Sequence, residues 1–199
     1  IQTLRICEVF KTENIMPWST EMEEHLSTFD ESIQPLVRSL GVEIGPVNSI
    51  MGGFASTEVI KLVTSKYTPI TQFLTWHDFS CLPSSKPISS NSSSLNQLFG
   101  DEITNKLNEM KILMVGCGAL GCEWLKNLSL LNVATTSGQI DVTDPDHIER
   151  SNLSRQFLFR PENVGMSKSK TAINSVLQFN HKMKMKAFEN KMSNSDKDF

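Results

Sequence analysis

The sequence predicts an α/β chain, an incomplete Rossmann-like doubly wound sheet preceded by a helical segment. Three observations carry that expectation. An apolar run, Ile112-Leu113-Met114-Val115, feeds directly into the glycine turn Gly116-Cys117-Gly118-Ala119-Leu120-Gly121. A second strand-like run, 139–143, ends on Asp144-Pro145-Asp146. Helical and strand patterns then alternate once more up to residue 189, which makes a βαβαβ succession, the first half of such a sheet.

The elements follow in order. In residues 1–40 the apolar positions Leu4, Val9, Phe10, Met22, Leu26, Phe29, Ile33, Leu36 and Leu40 recur at helical spacing, and acids follow Pro17 and Ser19, as at a helix start. Two or three helices are expected there. Gly45-Pro46-Val47-Asn48 precedes a helix that runs through Glu58 and Leu62 to about Ser65. Paired Gly52-Gly53 within this pattern costs roughly 1 kcal/mol per glycine against alanine and points to close approach by another backbone. Alternation from Ile70 to Asp78 predicts an edge strand. The Ser-, Pro- and Asn-rich stretch from Pro83 to Leu95 reads as a solvated linker, and 99–110 as a helix. Beyond the first strand, a helix is expected over 122–131, a strand over 139–143, a helix over about 167–179 and a strand near 183–189. The expected organisation is a helical segment (1–40), a first α/β portion (41–83), a linker (84–98) and the glycine-turn portion (99–199).

Composition is that of a globular protein, 39% hydrophobic and 21% charged, in 199 residues. A net charge of −3 offers no electrostatic basis for non-specific nucleic-acid binding. No apolar run approaches the roughly 18 residues needed to span a bilayer, so neither nucleic acid nor membrane is an expected partner. Cys7, Cys81, Cys117 and Cys122 form no C-x-x-C pairs, which argues against a zinc site or a disulfide framework and for a reducing compartment. The chain starts without methionine and ends without a helix stop, and is read as a piece of a longer protein.

The glycine turn has a physical rationale. Gly116 allows a tight turn, Gly118 lets backbone approach phosphates, and Gly121 lets helix and sheet pack closely, while the following helix points its positive end at an anion. The alternative is a turn that only packs. Asp144, at a strand end, can accept bonds from ribose hydroxyls, or can cap its own turn. Asp146 can contribute to a Mg²⁺ site or serve the turn. Arg155 and Lys168 are surface charges in isolation; beside a phosphate-binding turn they become candidates to neutralise a triphosphate and its transition state. Asn152 and Gln156 can add neutral hydrogen bonds. Cys122, in the first turn of a packed helix, reads as buried and inert. Trp76 and Trp124 read as core or interface anchors. His25, His77, His147 and His181 show no ligand spacing.

These residues resemble a known family. The segments 115–123, 142–146, Ile148-Glu149 and Ser151-Asn152-Leu153-Ser154-Arg155-Gln156-Phe157-Leu158-Phe159-Arg160-Pro161 resemble the active adenylation domain of ubiquitin-activating enzymes. Upstream, Gly45-Pro46-Val47-Asn48, Gly52-Gly53-Phe54-Ala55, Glu58-Val59-Ile60-Lys61, Pro69-Ile70 and Cys81-Leu82-Pro83 resemble the end of the inactive adenylation half. That fusion is typical of the single-chain ubiquitin activators. Residues 1–40 resemble part of their four-helix segment. The resemblance implies a ThiF/MoeB-type adenylation fold and a parent enzyme of cytoplasm and nucleus that uses ATP and Mg²⁺. That enzyme adenylates the C-terminal glycine of ubiquitin and then forms a thioester on a cysteine outside this chain. Its partners are ubiquitin, or a related modifier, and a conjugating enzyme.

Residue by residue, the resemblance puts Gly116, Gly118, Ala119 and Gly121 in the nucleotide loop. It makes Asp144 the ribose acid, Arg155 and Lys168 the catalytic phosphate-binding cations, Asn152 and Gln156 accessory contacts, and Asp146 an acid near the metal. An Asp-Asn element of the family would fall beyond Phe199, and Ser94-Leu95-Asn96-Gln97 stands where the family often has Arg-Tyr-Asp. This piece alone is expected to form no thioester and to show little or no adenylation. Two other classes compete. An NAD-dependent oxidoreductase would share the glycine turn and Asp144 but has no need of Arg155 and Lys168. A pseudo-adenylation scaffold fits the upstream half, which lacks such a clamp.

Overall fold

The computed structural model describes residues 42–71 and 93–192 continuously, with single positions or short stretches elsewhere between 24 and 88. The chain forms two compact units, Ile1–Thr104 and Asn105–Phe199.

In the first unit, α1 spans Gly45–Thr64. Pro46 in its first turn presets φ and has no N–H to lose. The helix therefore opens at Gly45 and absorbs the Gly45–Asn48 stretch expected to precede it. Its C-cap, Ser65, is left-handed. Among the described residues no atom lies within 4 Å of a Cβ built at Gly52 or Gly53, so the expected close approach involves none of them. The helix runs through them, with Ser56 and Thr57 hydroxyls both donating to the Gly53 carbonyl at 2.9 Å. Beyond α1 the chain turns back, and the Ile70 N–H donates to Glu58 Oε2 at 2.8 Å. Ile70, Thr71 and Leu74 are irregular; the rest of the expected edge strand lies outside the described residues. So do most of the helices expected over 1–40, of which Glu24, Leu26, Gln34 and Val37 are helical.

Helix α2, Ser94–Asn108, begins five residues before Phe99 and is kinked at Gly100 (φ 78°). The tail of the expected linker is thus helical. The cause is a serine cap, since the Asn96 N–H donates to Ser93 Oγ, and Leu95 and Leu98 are buried three residues apart.

The second unit carries the sheet. Strands β1 (Lys111–Val115), β2 (Gln139–Thr143) and β3 (Met185–Phe188) are all parallel in the order β1-β2-β3. Helices α3 (Ala119–Leu130) and α4 (Lys168–Phe179) connect them. The fold is α/β, as expected. Central β2 is the best covered, with Ile140 and Val142 fully buried. They pack with Leu125, Leu128, Ile148, Phe159, Ala172 and Val176 into one core. On β1, Ile112 and Met114 join that core, whereas Leu113 and Val115, pointing the other way, stay 44% and 64% exposed. Trp124 is 63% exposed, which removes its reading as a core anchor. Register aligns the strand ends: Val115 pairs with Thr143, and Thr143 with Phe188. Everything that follows β1 and β2 therefore leaves from one edge of the sheet, where open α/β sheets bind ligands.

Candidate functional site

The glycine turn starts on that edge. Gly116, at φ +95°, donates its N–H to Thr143 O at 2.8 Å and so extends the β1–β2 ladder by one rung before the chain turns. Gly118 is the N-cap of α3 and Ala119 its first residue, so the helix starts three residues before the expected Cys122. A Cβ at Gly118 would meet only Gln156 Nε2, at 4.0 Å, so the backbone there is open to a ligand. A Cβ at Gly121 would sit 2.5 Å from Gly116 O, and this glycine is what lets helix and turn touch. The first N–H groups of α3 have no partner within the helix and lie at its positive end, which suits an anion.

Cys117 and Cys122 are fully buried free thiols. They flank the N-cap at the positions where an apolar pair staples a helix entry, and the Cys122 thiol donates to Cys117 O at 3.8 Å. Bonding to Cys122, followed by burial, pushes the Cys117 thiol above its ordinary range. Both are buried, as the sequence suggested for Cys122.

Asp144 is 5% exposed and locks the turn. Its Oδ2 accepts the Cys117 N–H at 2.6 Å and its Oδ1 accepts the Asp146 N–H at 2.9 Å. Each carboxylate oxygen keeps a second lone pair for another donor. The turn-capping reading is thus realised, and it is compatible with contact to a ribose.

Lys168 lies 22 residues beyond Asp146 but beside it in space. The segments 146–148 and 165–168 pair as a short antiparallel ladder: Lys168 N–H donates to Asp146 O, Ile148 N–H to Met166 O and Gly165 N–H to Ile148 O. Lys168 Nζ then reaches Asp146 Oδ2 at 2.8 Å. That bond holds the Asp146 carboxyl below its ordinary range. The Lys170–Glu189 pair does the same for Glu189.

Asn152 and Gln156 divide. Asn152 is committed to the loop itself, its Oδ1 accepting the Glu149 N–H at 2.9 Å within a 3-10 turn, Arg150–Ser154. Gln156 is 3% exposed and lies against Gly118, and its Oε1 is buried without a hydrogen-bond partner among the described residues. A buried orphan acceptor is costly unless something fills it. Together with the open backbone at Gly118, it is the feature here that fits a missing polar ligand such as a nucleotide. Arg155 is exposed, and its Nη1 donates to Ser151 O at 2.9 Å. Among the described residues it does not bond the glycine turn, Asp144 or Lys168. The structure thus gathers Gly116, Gly118, Ala119, Gly121, Asp144, Asp146, Gln156 and Lys168, with Asn152 as scaffold behind them and Arg155 apart on the surface.

Among the described residues no three His, Cys, Asp or Glu side chains converge to hold a metal ion. A separate cleft of about 430 Å³, lined by Phe157, Arg160, Met166, Asn174 and Phe179 among others, shares no residue with the glycine-turn cluster. The sequence reading missed the stapling pair, and it missed Ser169, whose hydroxyl ties the start of α4 to Phe188 O at 2.9 Å. The staple was visible in principle as apolar residues at N′ and N4 around a glycine cap.

Comparisons with known proteins bear on this cluster. Ubiquitin-activating enzyme E1 2 of Triticum aestivum is 40% identical over 158 residues, covering 75% of this chain and 15% of the relative. Ubiquitin-like modifier-activating enzyme 6 of Homo sapiens is 42% identical over 159 residues, again 75% of this chain and 15% of the relative. The chain therefore spans about 15% of the length of these curated relatives. The solved structure of E. coli MccB with ATP is similar over 45% of this chain and 26% of that one, at 28% identity and a TM-score of 0.42. The ThiF family profile matches residues 91–199, more than half of the sequence, and the chain belongs to the ThiF family.

Proposed function

We propose that this chain is the nucleotide-holding portion of a ubiquitin-activating enzyme that uses ATP with Mg²⁺ to adenylate the C-terminal carboxylate of ubiquitin. The observation that carries the reading is the cluster at the sheet edge: open backbone at Gly118, a helix N-terminus, Asp144, Lys168 and the orphan acceptor of Gln156. ATP, when bound, supplies the α-phosphate that the carboxylate attacks, with pyrophosphate leaving. The Gly118 backbone and the N-terminus of α3 receive phosphate charge. Asp144 has lone pairs left for ribose hydroxyls. Lys168 keeps two N–H donors for phosphate oxygens. Arg155, on its exposed loop, has one guanidinium N–H bonded to Ser151 O and others left to donate. The clamp cation is what separates this reading from hydride transfer with NAD.

The thioester cysteine, the conjugating enzyme and its docking surface belong to the rest of the parent. The reading carries with it a cytoplasmic and nuclear location, in keeping with free Cys117 and Cys122. Among the described residues no helix is long and apolar enough to cross a membrane. A second reading keeps the chemistry and changes the modifier. It is favoured by the human relative named as a ubiquitin-like modifier-activating enzyme.

The test is ATP–pyrophosphate exchange by the full-length parent with ubiquitin and, separately, with related modifiers, beside Lys168→Met. Lys168 is the better probe than Asp144, because Asp144 holds the turn together while the loss of Lys168 leaves an exposed carboxylate in water. Exchange that depends on ubiquitin and collapses in the variant supports the first reading. Exchange with another modifier alone supports the second. A folded parent that exchanges with none overturns both.

A further inference from the structure

We infer that the cleft beside α4 is a docking site for a short extended segment of a partner protein, one that carries a single acidic side chain next to an apolar one. The inference goes beyond the nucleotide reading and does not rest on it.

The cleft encloses about 430 Å³ and lies between α4 and the loop over 157–166. Thr171, Asn174, Ser175 and Gln178 line it from the helix. Their spacing, i, i+3, i+4 and i+7, puts side chains on one face of a helix. Ser175 Oγ donates to Leu158 O at 2.7 Å and ties this face to the loop. Asn174 and Gln178, by contrast, are exposed, and each amide offers both N–H donors and an acceptor.

The two amides stand about one helical turn apart, a rise of about 6 Å along the axis. Two residues of an extended chain advance about 6.6–6.8 Å and then present the same backbone edge again. A peptide laid along α4 therefore meets Asn174 with one set of backbone groups and Gln178 with the next. An amide side chain suits that edge, because it donates and accepts at once.

Arg160 forms the charged corner. Its Nη1 donates to Phe157 O and to Phe159 O, the latter at 3.0 Å, and its backbone N–H donates to Asn163 Oδ1 at 2.8 Å. The guanidinium is thus fixed before any ligand arrives. Its Nη2 and Nε groups keep their N–H donors for a carboxylate. Glu162 lines the same cleft and disfavours a second acid. Met166 and Phe179, 51% and 57% exposed, supply an apolar wall against which a neighbouring side chain leaves water.

Size selects the occupant. From Thr171 to Phe179 the helix rises about 12 Å, which holds about four extended residues. A second copy of the chain or a stable domain contact buries about 800 Å² on each side, far more than a cleft of this length covers. A linear segment fits it.

The experiment is fluorescence anisotropy with the full-length parent and two hexapeptides, fluorescein-labelled at the N-terminus and amidated at the C-terminus. Their sequences, Gly-Ser-Asp-Leu-Ser-Gly and Gly-Ser-Leu-Asp-Ser-Gly, cover both orders of acid and apolar residue. One of them is expected to bind saturably. Asn174→Ala and Gln178→Ala together should weaken it about tenfold or more. Alanine at exposed helix positions keeps the fold, and a melting curve checks it. Replacing the peptide's Asp by Asn should weaken wild-type binding about tenfold. Methylating the peptide's central amide nitrogens removes its N–H edge and should abolish binding, an arm that needs no protein variant. The absence of saturable binding up to about 1 mM, as when the parent's own chain or a second copy fills the cleft, overturns the inference. Wild-type affinity in the double variant, for the methylated peptide or for the Asn peptide overturns it as well.

Discussion

Gly121→Ala tests the contact on which the shape of the turn depends. The new Cβ would lie 2.5 Å from Gly116 O and 3.3 Å from Gly116 C, both backbone atoms. Gly116 cannot yield cheaply, because it sits at φ +95° and its N–H is bonded to Thr143 O at 2.8 Å. Relief of the clash means moving α3 off the sheet or breaking that rung. Overpacking of this kind costs about 1–3 kcal/mol, and the lost rung adds about 0.5–1.5 kcal/mol. The gain in helix propensity on replacing glycine returns at most about 1 kcal/mol. The net expectation is a loss of about 0.5–3.5 kcal/mol, read from urea midpoints by fluorescence and circular dichroism together.

Gly118→Ala is the matched control. Its Cβ meets only Gln156 Nε2 at 4.0 Å, at an ordinary backbone φ of −77°, so the midpoint should move by less than about 0.5 kcal/mol. ATP affinity of the parent should nonetheless fall, because a methyl group then stands where phosphate approaches. A wild-type midpoint in Gly121→Ala would refute the packing argument. Wild-type ATP affinity in Gly118→Ala would refute the claim that this backbone faces the ligand.

Three other variants probe separate contacts. Gly138→Ala should destabilise by more than about 2 kcal/mol, because its Cβ would fall 2.4 Å from Met110 O and 2.7 Å from Glu109 C; loss of soluble, cooperatively unfolding protein is the readout. Asn180→Ala strips the donors to Ser129 O and Asn132 Oδ1, each at 2.9 Å, and should cost about 1–3 kcal/mol in a urea titration. Glu189→Gln addresses acid stability. Lys170 lowers the folded pKa of Glu189 from its ordinary 4.5. The pair therefore stabilises the fold above that value, and the contribution is lost as pH falls through the lowered one. Both side chains are largely exposed, so the effect is small and screened by salt. The variant should show a slightly flatter stability curve below pH 4.5, and a steeper one would contradict the sign.

Legibility in the sequence followed locality. Strand β2 was readable at Gln139–Thr143 because a buried alternating run between polar ends leaves little freedom of placement. The glycine roles were readable because each follows from backbone sterics. Helix starts were misplaced wherever a cap did the work: Ser93 begins α2 before Phe99, and Gly118 begins α3 before Cys122. Gly138 escaped notice because its need arises from Met110, a residue 28 positions away whose backbone the turn grazes. The Gly52-Gly53 pair shows the converse. A glycine pair in a pattern signals freedom, and in α1 that freedom is unused among the described residues. At the site, Lys168 was readable as a charge and Asp146 as an acid, but their pairing depends on an antiparallel ladder that no local pattern announces.

That pairing also explains the composition of the acidic turn. Pro145 contributes no N–H, so within Asp144-Pro145-Asp146 the N–H that Asp144 Oδ1 accepts is that of Asp146. The result is an Asx turn, an acid capping the backbone two residues on, with the central φ preset by proline. A turn so fixed fixes the second acid. Because Asp144 also holds the Cys117 N–H, the glycine turn and the lysine are registered to the same carboxylate. An asparagine at 144 would turn one acceptor into a donor facing a backbone N–H. Asp144→Asn should therefore loosen both ends at once, costing about 1.5–3 kcal/mol for a charge-assisted bond in a buried site. Amide exchange would accelerate at Cys117 and at Lys168 together. Faster exchange at Cys117 alone would mean that Asp146 keeps its place without Asp144, and that the two acids act independently.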